Sequence, residues 1–258
     1  MAIIGLIPAA GKGSRLSPLP FSKELFPIGY QDIEIDNSLK KRPKVVSQYL
    51  VNHMVDAGAE KIFVTLGPQK SDIMEYFGSG ERHNVNMIYN YQEEPKGMPF
   101  ALDLSYSFLK EGDIILFGMS DTIIEPALSL KVLLNAHNKN KADLTLGLFR
   151  TQNPSKFGMV NLEKESHKVI TTIDKPEDTD LAYMWGCCIW NYSFATYMHN
   201  YCNNLDKNKQ QKEIVFGDII NAAIKDGLSV YGEPIKDGRY IDIGTIEDLD
   251  TALKNFHL

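Results

Sequence analysis

The chain opens on Ile3-Ile4-Gly5-Leu6-Ile7-Pro8, an apolar run of single-strand length that leads into a loop of small residues. Such a run suits one buried strand of a parallel sheet. It feeds Ala9-Ala10-Gly11-Lys12-Gly13-Ser14-Arg15-Leu16, and then Ser22-Lys23-Glu24-Leu25-Phe26-Pro27. Small residues let the backbone close on a ligand, and successive main-chain N–H groups then form a concavity suited to phosphate. Open α/β sheets bind ligands at the carboxyl ends of their strands, where this basic loop falls. A nucleoside triphosphate site is the reading that follows. A glycine-rich surface turn is the plain alternative for the loop taken alone.

Two familiar phosphate loops are excluded by spacing. A Walker A loop places four residues between its first glycine and Gly-Lys-Ser/Thr, whereas five separate Gly5 from Gly11 and Gly13 follows Lys12. A dinucleotide fingerprint needs a third glycine where Leu16 stands, which argues against hydride transfer.

Further along, apolar and polar stretches alternate at βαβ spacing. Strands are expected at Lys61–Leu66, Val85–Tyr91, Asp113–Gly118 and Ala142–Phe149. Helices are expected near Val45–Met54, Gln69–Phe77, Pro99–Leu109 and Glu125–Asn138. That alternation means a parallel sheet covered by helices. Between them Gly29–Arg42 is polar, and its Ile33/Ile35 alternation leaves a hairpin arm and a mobile excursion equally open. After Arg150 the pattern becomes strand-rich, with helices near Tyr192–Tyr201 and Glu213–Ile224, a strand at Leu228–Tyr231, and Thr245 capping a last helix. No Pro/Gly/Ser linker interrupts the chain, so one compact domain is expected, with lobes at about 1–150 and 151–258.

Composition narrows the partners. A net charge of −6 over 258 residues argues against nucleic acid, since phosphate-backbone binding rests on excess Lys and Arg. Cys187, Cys188 and Cys202 suggest free buried thiols rather than a disulfide framework, and no spacing suggests zinc. The apolar start is too short for a membrane span and lacks a preceding basic region, so a cytoplasmic protein is the expectation. Asn191-Tyr192-Ser193 is a formal glycosylation sequon with nothing else to support secretion.

The combination Gly11-x-Gly13-x-Arg15-Leu16, Pro18 and Lys23-x-Leu25-x-Pro27 resembles the N-terminal motif of sugar-1-phosphate nucleotidylyltransferases, nearest to glucose-1-phosphate thymidylyltransferases and their uridylyl relatives. The resemblance runs along nearly the whole chain. It implies a Rossmann-like α/β fold: a mixed, mostly parallel sheet flanked by helices, with a smaller sugar-binding lobe. The implied substrates are a nucleoside triphosphate and a sugar 1-phosphate, with Mg²⁺ as cofactor. Oligomeric state is left open, a homo-oligomer included.

The chemistry asks for charge neutralisation and in-line positioning, because one phosphate must attack another. Magnesium prefers carboxylate and phosphate oxygens. Asp121, after the strand Asp113–Gly118, and Asp242, before Gly244-Thr245, match the family's metal-holding aspartates. By the same resemblance Arg15 and Lys23 serve the triphosphate and the transferring phosphoryl group, beside the main chain of Ala9, Ala10, Gly11, Gly13 and Ser14. Lys175 corresponds to the lysine that binds the sugar's phosphate. Gln92 and Gly97 have the base-reading spacing of thymidylyltransferases, and a side-chain amide can both donate to and accept from a pyrimidine edge. Gly158, Asp174, Trp185 and Gly186 match sugar-pocket positions, with Asp174 in place of the usual Glu and Trp185 in place of a small residue. Each of these residues alone would read as a turn, a cap or a surface charge.

Other departures are Ser14 for Thr, the longer link at Gly29–Arg42, and Gln211 where a phosphate-binding arginine is expected, with Lys212 beside it. Asp218 matches a family position without an assigned role. dTTP, UTP and CTP stay open. So do a phosphorylated acceptor other than a sugar, a non-catalytic nucleotide-sugar binder, and a glycosyltransferase. The last usually carries Asp-x-Asp after the metal-side strand, where this chain has Ser120-Asp121-Thr122.

Overall fold

The computed structural model describes residues 1–207 and 214–256. In chain order these form β1 (Ile3–Ala9), a 3-10 turn at Lys23–Leu25, β2 (Pro27–Ile35), β3 (Ser38–Val45), α1 (Val46–Asp56), β4 (Lys61–Leu66), α2 (Ser71–Phe77), β5 (Asn86–Tyr91) and α3 (Met98–Asp103). Next come β6 (Ile114–Gly118), β7 (Thr122–Glu125), α4 (Ser129–Asn140), β8 (Leu144–Arg150), β9 (Gly158–Leu162), β10 (Val169–Asp174) and β11 (Tyr183–Asn191). The chain finishes with α5 (Tyr192–Lys207), α6 (Phe216–Lys225), β12 (Val230–Pro234), β13 (Arg239–Asp242) and α7 (Ile246–Phe256). Gln211 and Lys212 lie outside the described residues.

One sheet runs through both halves of the chain in the order β10-β9-β11-β6-β1-β4-β5, with β8 and then β12 joined beside β11. Its first half is parallel, β6, β1, β4 and β5 lying side by side. In the second half β11 runs antiparallel to β6, β8 and β9. The inner parallel strands β1, β4 and β6 are buried on both faces, which explains their apolar sequences, whereas the edge strand β5 is more exposed and more polar. One apolar layer packs α1 and α4 against the sheet through Leu50, Met54, Leu130 and Leu133. The opposite layer is aromatic: Phe117, Trp190, Phe194 and Phe216 are all essentially inaccessible and pack ring against ring.

One open alternative is decided, in favour of the hairpin arm, and two local expectations are corrected. The segment 29–42 is a β-hairpin, closed by Asp36-Asn37 with φ of 52° and 58° between the paired residues Ile35 and Ser38. Two residues with positive φ make the tight turn whose twist matches a hairpin, and Asp and Asn tolerate it best after Gly. The helix expected from Glu125 begins instead at Ser129. Pro126 lacks an N–H and biases Glu125 toward extended backbone, so Thr122–Glu125 becomes β7 and pairs with β13. The helix expected over Pro99–Leu109 stops at Asp103 and resumes as a 3-10 turn at Tyr106–Phe108. Between them Ser105 turns inward to accept a hydrogen bond from Asn90 Nδ2 at 2.8 Å.

Candidate active site

The glycine loop follows β1, as its sequence requires. Gly13 takes φ +63°, and its carbonyl accepts from Leu16 N–H at 3.1 Å, which turns the chain back toward the sheet. The loop borders a cavity of about 790 Å³ whose wall includes Ala10, Lys12, Gly13, Lys23, Lys70 and Glu93. Ala10 is buried, whereas Gly11, Ser14 and Arg15 are exposed.

Lys23 Nζ donates a short hydrogen bond to Asp121 Oδ2, so the first motif and the end of β6 meet. Burial pulls the Lys23 ammonium down, but the neighbouring Asp121 carboxylate overrides it and the net shift is upward. Asp242 reaches the same place by sheet register. It sits opposite Thr122 in the β7–β13 ribbon, and Ile243 N–H donates to the Asp121 carbonyl at 3.1 Å. Gly244 N–H donates to Asp242 Oδ1 at 2.7 Å. Burial first, and then the charge of Asp121, raise the Asp242 carboxyl to about 6.

Arg15 closes the group. A Cβ placed on Gly244 would stand 3.0 Å from Asp242 Oδ1 and 3.2 Å from Arg15 Nη2, so the guanidinium lies over the turn that carries Asp242. Burial would raise Asp248, in the first turn of α7, but hydrogen bonds from Lys156 and Thr245 and the Arg15 charge hold it below its ordinary value. Thr245 accepts from Asp248 N–H at 3.2 Å and caps α7 as expected. The structure therefore brings Arg15, Lys23, Asp121 and Asp242 together from four separated stretches of sequence.

The second-half residues form a neighbouring group. Asp174 pairs with Gly158 across β9–β10, and Lys175, with φ +45°, donates its N–H to the Phe157 carbonyl at 3.0 Å. A side chain on Gly158 would collide with the indole nitrogen of Trp185, and one on Gly186 would collide with the ring of Tyr240. Both glycines are thus demanded by close approach. The Tyr240 ring meets Phe157 edge-on at 5.9 Å. Burial and then Asp242 and Asp121 push its hydroxyl well above its ordinary range, so Tyr240 links this group to the acids. Asp174 and Lys175 are exposed, and among the described residues the Lys175 ammonium has no ion-pair partner.

Gln92 is not drawn into the glycine-loop cavity. It is buried and lines a separate cavity of about 420 Å³ with Phe100, Asp103 and Cys202; the two cavities share Glu93 and Glu94. Gly97, with φ +104°, precedes α3. Asp218 lies in the first turn of α6. All three cysteines are free and buried.

Several residues that hold the site escaped the sequence reading. Tyr240 packs against Phe157 and against Gly186, and nothing in its sequence neighbourhood marks it out. Gly67 permits the approach of Ala10, whose carbonyl would stand 2.7 Å from a Cβ there. Glu24 and Lys70 form a buried ion pair at 2.6 Å, and Asp72 accepts from both N–H and Oγ of Ser22 at 2.6 Å. Only the adjacency of Glu24 to Lys23 hinted at the first pair.

Two carboxylates beside one another suit a divalent cation completed by phosphate oxygens and water. Burial and then the Asp121 charge raise Asp242, and the Lys23 ammonium leans on Asp121 from the other side. The residues fit magnesium, although among the described residues no cluster of three or more metal-ligating side chains occurs.

A basic glycine loop facing paired acids at the carboxyl edge of a parallel sheet defines an enzyme class that handles phosphate anions. The model of the nucleotidyl transferase family matches residues 4–257, and the chain belongs to that family. The low-salt glycan biosynthesis nucleotidyltransferase Agl11 of Haloferax volcanii is 24% identical over 250 residues, covering 95% of this chain and 63% of that protein. The UTP–glucose-1-phosphate uridylyltransferase AglF of the same organism is 28% identical over 245 residues, covering 95% and 92%. The chain thus spans under two thirds of Agl11 and nearly all of AglF. Among solved structures, UTP-bound UGPase of Acinetobacter baumannii superposes with a TM-score of 0.79 at 17% identity, over 99% of this chain and 93% of that one. At that identity the likeness concerns the fold. No described helix is long and apolar enough to cross a membrane.

Proposed function

We propose that the protein transfers a nucleotidyl group from a pyrimidine nucleoside triphosphate, UTP or dTTP, to a sugar 1-phosphate, releasing pyrophosphate and forming an NDP-sugar. The observation that carries this reading is the convergence of Lys23, Arg15, Asp121 and Asp242 at the glycine loop. The name of AglF, a relative matched over nearly its whole length, supports the sugar 1-phosphate and UTP.

In the reaction a phosphate oxygen of the acceptor attacks the α-phosphorus in line, and the bond to pyrophosphate breaks. No protein nucleophile is needed; both partners are anions, so the protein's task is to lower their repulsion. Arg15 is suited to grip phosphate oxygens with two parallel bonds, while Lys23 supplies a compact charge at the acid pair. Main-chain groups of Gly11 to Ser14 complete the cradle. Asp121 and Asp242 would hold magnesium, which supplies charge neutralisation and orientation of the phosphates. Lys175 and the Gly158–Trp185 surface serve the acceptor, with the indole limiting the size of sugar admitted. Reading of the base by Gln92 requires that its side chain turn, or the substrate reach, across Glu93 and Glu94.

Pyrophosphate release with four nucleoside triphosphates against a panel of sugar 1-phosphates tests the reading. Turnover with UTP or dTTP and a sugar 1-phosphate is expected, with ATP and GTP poor. Efficient use of either purine would overturn the base assignment, and absence of turnover with every pair would overturn the reaction.

A further inference from the structure

The segment carrying Lys23 is held on both sides by one element. Ser22, Lys23 and Glu24 are consecutive, and their side chains go three ways. Lys23 reaches forward to Asp121. Ser22 and Glu24 reach back: Ser22 N–H and Oγ donate to the two oxygens of Asp72 at 2.6 Å each, and Lys70 Nζ donates to Glu24 Oε2 at 2.6 Å. Lys70 and Asp72 flank the first residue of α2, Ser71. The start of that helix therefore grips the residues immediately before and after Lys23.

The Glu24–Lys70 pair is an unusual choice for a structural contact. Glu24 is 1% exposed and Lys70 7%. Burying two charges costs several kcal/mol of hydration per ion, so a well-packed apolar pair of similar size commonly stabilises a fold as well or better. What an apolar pair cannot do is single out one partner. A buried carboxylate must have its ammonium within hydrogen-bond reach, which ties the turn Lys23–Leu25 to the start of α2. Lys70 also forms part of the wall of the 790 Å³ cavity beside Lys23, so the pair lies at the edge of the site rather than deep in the scaffold.

We infer that Glu24 and Lys70 are positioning residues for nucleotidyl transfer: their buried ion pair, with the Ser22–Asp72 contact, holds Lys23 at the height where it meets Asp121 and the transferring phosphate. The inference rests on the reaction proposed above, but its geometry concerns Lys23 alone.

The test is the double variant Glu24→Leu/Lys70→Met, beside Glu24→Gln and Lys70→Arg. Melting temperature, kcat and KM for the triphosphate would be measured, together with the rate at which Lys23 is acylated by a small ester, read by mass spectrometry. The double variant is expected to melt near wild type, with kcat down about tenfold or more, KM changed less, and Lys23 acylated several times faster. Lys70→Arg, which keeps the charge, is expected to retain most of kcat. Should the double variant not fold, Glu24→Gln carries the same comparison. A folded variant whose kcat stays within threefold of wild type overturns the inference. If wild type turns over no substrate, the proposed reaction fails instead; Lys23 acylation then decides, and an unchanged rate in the variants overturns the positioning claim.

Discussion

The two halves of the chain reach their functional groups by different routes. In the first half, one strand and its loop supply most of the site in sequence order: β1, Gly11 to Arg15, then Lys23. In the second half the candidate residues are spread over β9, β10, β11 and β13, and they meet only because antiparallel register places Asp174 opposite Gly158 and Asp242 opposite Thr122. A loop after a parallel strand keeps its candidate residues close in sequence, so a phosphate-cradle reading can be raised there, beside the plain one of a surface turn. A pocket made by register offers no such reading, because a shift of one residue would turn every side chain to the other face.

The same contrast sets the expected size of perturbations. Removing charge from the group gathered at the glycine loop, to which both halves contribute, should cost most: Lys23→Ala or Asp242→Asn is expected to lower kcat by roughly 10²–10³-fold, the range seen when one preorganised electrostatic contact is lost. Steady-state pyrophosphate release checks it, with circular dichroism confirming the fold; a loss under tenfold would place these residues outside the chemistry. Lys175→Ala should act on the acceptor side, raising KM for the sugar 1-phosphate about 10- to 100-fold while triphosphate binding changes little, as suits one charged hydrogen bond. Calorimetry showing the reverse would dissolve the division between the halves.

Smaller effects address the scaffold. Gly186→Ala drives a methyl into the Tyr240 ring and should destabilise by about 1–3 kcal/mol, read by thermal melting. An unchanged melting temperature would mean that β11 and β13 are not pressed together as described. His137 offers a pH test remote from the acid pair. It is buried, contacts Thr145 Oγ1 at 3.0 Å, and burial, opposed weakly by Asp143, pushes it down to about 4 from 6.5. The unfolded chain takes up the proton first as pH falls, so this stability is present above 6.5 and is lost between 6.5 and 4. Over that window wild type should lose up to about 3 kcal/mol more than His137→Gln, measured by urea unfolding at several pH values.

How much was legible beforehand follows from the same physics. The inner parallel strands stood out because burial on both faces leaves apolar runs such as Lys61–Leu66, whose limits match β4. β7 did not, because Thr122–Glu125 continues smoothly into a helical pattern and only its pairing with β13 makes it a strand. Arg15, Lys23, Asp121 and Asp242 were identified by family likeness, and their mutual contacts came from the fold. Tyr240 and Gly67 carried no local signal, and the Glu24–Lys70 pair only the adjacency of Glu24 to Lys23, since a buried ion pair is two ordinary surface residues until the tertiary fold joins them.

The proposed reaction needs an acid pair and two cations acting together so that one phosphate can attack another. Its most direct test is magnesium-dependent pyrophosphate release from UTP or dTTP and a sugar 1-phosphate by wild type and by Asp121→Asn. Wild-type turnover abolished by chelation, and reduced at least 10²-fold in a natively folded Asp121→Asn, is the result expected. Turnover by Asp121→Asn near the wild-type rate, with magnesium dependence unchanged, would contradict it.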